Sequence, residues 1–91
     1  MCTYETTTLP VQGSGKGAGG WFTLSDATVY FDHPVHAPAA HTLNIDLLNP
    51  ARGAGARVAV ELDAGAALAL AHAIIETLER VPEELKATPA P

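Results

Sequence analysis

The feature that most constrains the fold of this 91-residue chain is a pair of alternating segments on either side of a breaker-rich turn. In His41–Leu48 and again in Ala56–Leu62, apolar residues occupy every second position and polar residues lie between many of them. A period of two predicts strands with one apolar face. Because only Asn49–Gly53 and a few further residues connect them, we expect the two strands to form an antiparallel hairpin.

A long apolar segment follows this hairpin directly. It runs from Ala64 to about Arg80, after Asp63 as a plausible N-cap and before Pro82, which cannot continue a helix. Its leucines, isoleucines and alanines form a stripe at helical spacing that is wider than one sheet face needs. The segment therefore predicts a helix covered on two sides, and with it a homodimer.

The N-terminal part of the chain supplies further extended segments. Thr3–Val11 is rich in β-branched and aromatic residues, and Trp21–Leu24 and Ala27–Phe31 are also strand-like. Between them, Gly13–Gly20 has five glycines in eight residues. That stretch is predicted to contain no regular element and to form a flexible hairpin loop or a substrate lid.

These elements predict one α+β domain over residues 1–86. It has about four mainly antiparallel strands followed by one long C-terminal helix packed on the sheet. Residues 87–91 are predicted to be a disordered tail. Much of the 47% apolar fraction is alanine, so the few aromatic residues are expected to fill the core. For Trp21, a place in the wall of a pocket is the alternative.

Charge and cysteine content limit the possible partners and compartment. The net charge is −5, and the five Lys and Arg residues are scattered, so no basic stripe exists to bind nucleic acid. No apolar run is long enough to span a membrane, so no membrane partner is expected. A single cysteine and the lack of a visible secretory signal favour the cytoplasm.

Three of the four histidines lie within nine residues, in a segment stiffened by two prolines. Imidazole is the commonest metal ligand, and three imidazoles with an open position suit catalytic zinc above other transition metals. The sequence thus predicts a metal site with His33, His36 and His41 as ligands. Further ligands or helpers would come from nearby acids or the N-terminal thiol: Asp32, Asp46 and Cys2.

Two other interpretations of this segment remain open. In one, the carboxylate of Asp32 or Asp46 orients a histidine as a general base, and no metal is needed. In the other, the segment is a polar connection whose histidines cap strands, and His41 is a buried residue on the apolar register of its strand. Whether the protein is an enzyme stays open at this point.

The polar positions of the hairpin form a second candidate. Thr42, Asn44 and Asp46 share one sheet face with Arg57 and Glu61 of the next strand. Acid, amide and guanidinium groups on one face can line a polar pocket. More often such a face is solvated, and that interpretation is preferred here, with Arg57 paired to a nearby carboxylate.

Several phrases occur together along the chain: Met1-Cys2-Thr3-Tyr4-Glu5-Thr6, Gly20-Trp21-Phe22, Tyr30-Phe31-Asp32-His33-Pro34, His41-Thr42-Leu43-Asn44-Ile45-Asp46 and Ala56-Arg57-Val58-Ala59-Val60-Glu61-Leu62. With these phrases the chain resembles a family of short actinobacterial proteins of unknown function. The resemblance covers nearly the whole chain except the tail. It implies a compact, single-domain bacterial cytoplasmic protein and no particular activity.

Two functional hypotheses follow from the sequence. The first is a small homodimeric protein whose histidine cluster holds a metal or performs acid–base chemistry on a small organic molecule. The second is a non-catalytic homodimeric binding or assembly module that works through its helix face.

Overall fold

The computed structural model describes residues 5–87, and its architecture is α+β, as the sequence predicts. Six strands precede two helices, with the bounds β1 Glu5–Pro10, β2 Ser14–Gly17, β3 Gly20–Thr23, β4 Asp26–Asp32, β5 Thr42–Leu48, β6 Arg57–Leu62, α1 Ala64–Glu79 and α2 Glu83–Lys86. Four strands form one antiparallel sheet in the order β1-β4-β5-β6, and β2 pairs with β3 in a separate hairpin. The predicted strand residues Thr3 and Tyr4, and residues 88–91 of the predicted tail, lie outside the described residues.

The register of the sheet separates two chemically different faces. Val29 of β4 lies opposite Ile45 of β5, which in turn lies opposite Val60 of β6. One residue further along, Tyr30 lies opposite Asn44, and Asn44 opposite Glu61. Side chains alternate between the two faces of a strand. We therefore call the face with Val29, Ile45 and Val60 the apolar face, and the opposite face the polar face.

Helix α1 lies on the apolar face, where it contacts β5 and β6. Its start is fixed as predicted, since the Asp63 Oδ1 accepts a hydrogen bond of 2.7 Å from the Ala66 N–H. The helix ends at Glu79, and Arg80 is its C-cap. After Pro82, one more turn forms the short helix α2, which the sequence analysis did not predict.

The glycine-rich stretch contains regular structure, so the prediction of an irregular Gly13–Gly20 segment was wrong. Ser14–Gly17 forms β2, and its glycines let the hairpin approach β6 closely. A Cβ at Gly17 would lie only 3.2 Å from the Arg57 carbonyl oxygen. At the turn, Gly20 has φ of 111°, a left-handed conformation that glycine adopts without strain.

Gly17→Ala should therefore destabilise the protein by about 1–3 kcal/mol, because the added methyl group meets backbone that cannot rotate away. Gly19→Ala is the matched control, since a Cβ there meets no atom within 4 Å and Gly19 has no positive φ. The free energy of unfolding, measured in urea, should change by less than about 0.5 kcal/mol for the control. Equal effects of the two substitutions would contradict the close approach.

The core of the described chain is small. Among residues 5–87, the only buried apolar side chains are those of Ala27 and Ala56. Trp21 is 72% exposed, so its predicted place in the core was wrong. The described helices include none that is both long and apolar enough to cross a membrane.

Candidate functional site

The histidine loop, residues 33–41, connects β4 to β5 at one end of the sheet. The His33 Nδ1 lies 2.9 Å from the Ala40 carbonyl oxygen, which draws the two ends of the loop together. The rings of His33 and His41 stack, with centroids 4.6 Å apart and planes inclined by 29°. His41 in turn stacks on Phe31, with centroids 5.9 Å apart. Two of the three predicted ligands are thus neighbours.

Stacking is not the geometry of shared metal ligation. A metal ion lies close to the plane of each imidazole that binds it, about 2 Å from the ring nitrogen. The His33 and His41 rings are stacked, so no point about 2 Å from both rings lies in both ring planes. Across the described residues 5–87, no three His, Cys, Asp or Glu side chains are grouped so that they could hold a metal ion. Cys2, the remaining predicted ligand, lies outside the described residues.

Metal analysis tests the predicted zinc site directly. We expect protein purified without a histidine tag to contain less than about 0.1 equivalents of zinc or another transition metal, with melting unchanged by a chelator. The His33→Ala variant serves as the control for any metal that is found. Stoichiometric metal that is lost in this variant would restore the metal hypothesis.

The two carboxylates proposed for acid–base chemistry lie apart on the polar face. Asp32 is buried, and its Oδ1 accepts a hydrogen bond of 2.6 Å from the His33 backbone N–H. Asp32 pairs with Thr42 in the sheet, and Asp46 lies four residues further along β5, which corresponds to about 13 Å. The described structure therefore does not bring these two acids together.

Asp46 takes part in a polar network in the middle of the sheet. Its Oδ1 accepts hydrogen bonds of 3.1 and 2.8 Å from Nε and Nη2 of Arg57, so the predicted pairing of Arg57 with a carboxylate is confirmed. Its Oδ2 accepts a hydrogen bond of 3.2 Å from the Tyr30 hydroxyl. Burial, together with the Asp46 charge, raises the pKa of Tyr30 above its ordinary value. The Tyr30 hydroxyl therefore stays protonated and donates to Asp46, while the Arg57 guanidinium forms an ion pair with the same carboxylate.

The interpretation of the polar face as a solvated surface was wrong near the histidine loop. Thr42 is 1% exposed and Asn44 is 4% exposed. Their polarity is satisfied internally, since the Thr42 hydroxyl donates a hydrogen bond of 2.6 Å to the Asn44 Oδ1. The polar face is therefore closed to water at Thr42 and Asn44, next to the histidine loop.

The carboxylate of Glu61 holds that loop. It accepts hydrogen bonds from three successive backbone N–H groups, at 2.6 Å from Val35, 3.0 Å from His36 and 2.8 Å from Ala37. These donors, Val35 first, lower the pKa of Glu61 below its ordinary value. This role of Glu61 differs from the solvated position that strand alternation predicts for it. The sequence contains one indication of this role: strand alternation places Glu61 on the same face as Asn44, its partner in the sheet.

A lowered pKa fixes the direction of the pH dependence. The stabilisation of the loop by Glu61 is fully present above the ordinary pKa of 4.5 and is lost as the pH falls through the lowered value. Glu61→Gln removes the charge, so we expect weaker amide-exchange protection at Val35, His36 and Ala37 at pH 6. We also expect a smaller decline in stability between neutral and acidic pH than in the wild type.

Glu79→Gln provides the control for Glu61→Gln, because Glu79 lies on the exposed side of α1. It should leave the protection of the three loop amides unchanged. Unchanged protection in Glu61→Gln as well would contradict the anchoring role.

The opposite face of the sheet carries an open apolar groove of about 430 Å³ between α1 and the strands. Val29 and Phe31 of β4 and Leu43 and Ile45 of β5 form its floor. Residues of α1 form its wall, among them Leu68, Leu70, Ala71 and Ile74. The lining is almost wholly apolar, so the groove offers contact area and no catalytic group.

A family model described as a family of unknown function (DUF6295) matches residues 1–87 of the chain. No curated protein and no solved structure matches the chain.

Proposed function

Since the chain belongs to this family of unknown function, we propose from its geometry that it is a non-catalytic homodimeric binding or assembly module. Its working surface is the apolar face together with α1. The observation that carries the proposal is the exposure of an apolar helix that lies on a sheet and yet buries none of its residues.

The composition of α1 is that of a buried helix. Eleven of its sixteen residues are Ala, Leu or Ile, as its sequence AGAALALAHAIIETLE shows. A helix that is apolar around so much of its circumference is normally covered on more than one side. Here its large side chains remain about half exposed, at 62% for Leu68, 52% for Ile74 and 51% for Leu78. The sheet covers one side of the helix, and a second cover is needed.

The same face offers both halves of a self-complementary contact. α1 exposes Ile75 and Leu78 outside the groove, whereas Leu68, Leu70 and Ile74 line the apolar recess of about 430 Å³ beside them. A two-fold axis between α1 and the groove would place the helix of each protomer against the recess of the other, and both contacts would form at once. A surface of this kind fits a second copy better than an unrelated partner.

The energetic gain from such a dimer is substantial. Five side chains of α1 are about half exposed: Leu68, Leu70, Ile74, Ile75 and Leu78. Full burial of a leucine or isoleucine is worth about 2 kcal/mol, so burial of the exposed halves would contribute about 5 kcal/mol per protomer. That is comparable with the whole stability of a small domain.

We place the proposed dimer in the cytoplasm of an actinobacterium, because the chain resembles short actinobacterial proteins and has a single cysteine. Neither nucleic acid nor a membrane is part of the proposal. A small apolar molecule in the groove is the competing occupant, since a recess of this volume can hold one. Its presence would leave the chain monomeric, which the following experiment detects.

Ile74→Glu should convert the dimer into monomers, because a charge in an apolar interface loses its hydration without a partner. Mass measurement in solution by light scattering should give twice the 9.4 kDa chain mass for the wild type and the single mass for the variant. The melting temperature of the wild type should rise with protein concentration, as for any obligate dimer.

Ala69→Glu is the matched control. It places the same charge on the same helix, on the polar side that also carries His72 and Glu76. This variant should remain dimeric. A wild-type chain that is monomeric at micromolar concentration, or a dimer that persists in Ile74→Glu, would overturn the proposal even if the variant is less stable.

A further inference from the structure

We propose that the outer face of the β2–β3 hairpin binds an acidic peptide segment of a partner protein. The surface consists of Lys16, Trp21 and Arg52, here called the tryptophan patch. It lies outside the helix face and the histidine loop, so it is independent of the dimer.

The hairpin register brings the first two residues together. Lys16 and Trp21 are directly opposite in the antiparallel pair, and side chains in such pairs lie next to each other on one face. Both are exposed, and Trp21 is 72% exposed. The other face of the hairpin is turned inward, with Gly15 buried and Phe22 partly buried.

Arg52 joins the patch from the turn between β5 and β6. Asn49 fixes that turn beside β3, since its Nδ2 donates a hydrogen bond of 2.8 Å to the Thr23 carbonyl oxygen. Its Oδ1 accepts a hydrogen bond of 3.2 Å from the Ala51 N–H. Arg52 and Trp21 border the same two surface depressions.

The charges of the patch are uncompensated. Arg57, Arg80 and Lys86 each pair with an acid, at Asp46, Glu76 and Glu83 respectively. Lys16 and Arg52 make no ion pair within residues 5–87, and residues 10–25 and 47–60 contain no Asp or Glu. The net charge is −5, so the rest of the chain carries −7 once these two cations are set aside. The patch is a local positive site on an acidic protein.

The type of partner follows from this arrangement. An exposed Trp beside Arg is the composition of a protein-binding hot spot, and the two free cations select carboxylates near an apolar side chain. Nucleic acid would present a long row of phosphates to two cations and an otherwise acidic surface. A membrane would receive only one apolar anchor, Trp21, because the other residues of the outer face, Ser14 and Thr23, are polar. A short acidic peptide fits best.

Trp21 is the only tryptophan of the chain, so its fluorescence reports on the patch directly. The probe is a synthetic peptide of repeating Glu-Glu-Leu units, titrated into the wild-type protein at low salt. We expect saturable change in Trp21 emission that weakens as salt is raised. Lys16→Ala/Arg52→Ala should reduce the affinity about tenfold or more, by removing both attractive charges.

Arg80→Ala/Lys86→Ala removes the same charge from the far end of the chain and should leave the affinity unchanged. A Lys-Lys-Leu peptide, an oligothymidine and anionic phosphatidylserine vesicles are the competing probes. No saturable change with the acidic peptide, equal loss in both double variants, or tighter binding of any competing probe would each overturn the proposal. Because the dimer is measured by mass, its failure would leave this result unaffected.

Discussion

The structure depends on the contact between α1 and the apolar face of the sheet, because the large apolar side chains of the helix and of the strands meet there. That contact is incomplete in a single chain. Among residues 5–87 only Ala27 and Ala56 are buried apolar residues, and alanine contributes little area. A domain of this size has a narrow margin of stability even when its core is well formed. In the proposed homodimer, a second chain would complete this contact.

The polar face is organised by a different interaction, charge-assisted hydrogen bonding. Glu61 collects three backbone N–H groups of the histidine loop, and Asp46 collects Arg57 and Tyr30. Each carboxylate is fixed by donors, which suits anchoring more than proton transfer. Glu61 thus attaches the loop to the sheet, and Asp46 joins side chains of three neighbouring strands.

Strand alternation, the Asp63 cap and the wide stripe of α1 were sufficient to predict the α+β fold and the helix on the sheet. They depend on local periodicity, which a sequence shows directly. The sequence could not show that His33 stacks on His41, or that Glu61 accepts hydrogen bonds from a loop some 25 residues away. Both contacts depend on tertiary placement. The β2 strand was missed because its glycines serve close packing on β6, whereas local propensity makes them breakers.

The two outer strands of the sheet are shielded in ways that govern how copies of the chain can meet. β1 ends in Pro10, which offers no N–H for another strand, and the first residues of β6 are covered by the β2–β3 hairpin. Strand addition from a neighbouring molecule is thereby disfavoured at the Pro10 end of β1 and at the start of β6. A chain with so much uncovered apolar surface would otherwise be at risk of open-ended aggregation into fibres. Association through α1 and the apolar face, as proposed, would instead give a closed, finite assembly.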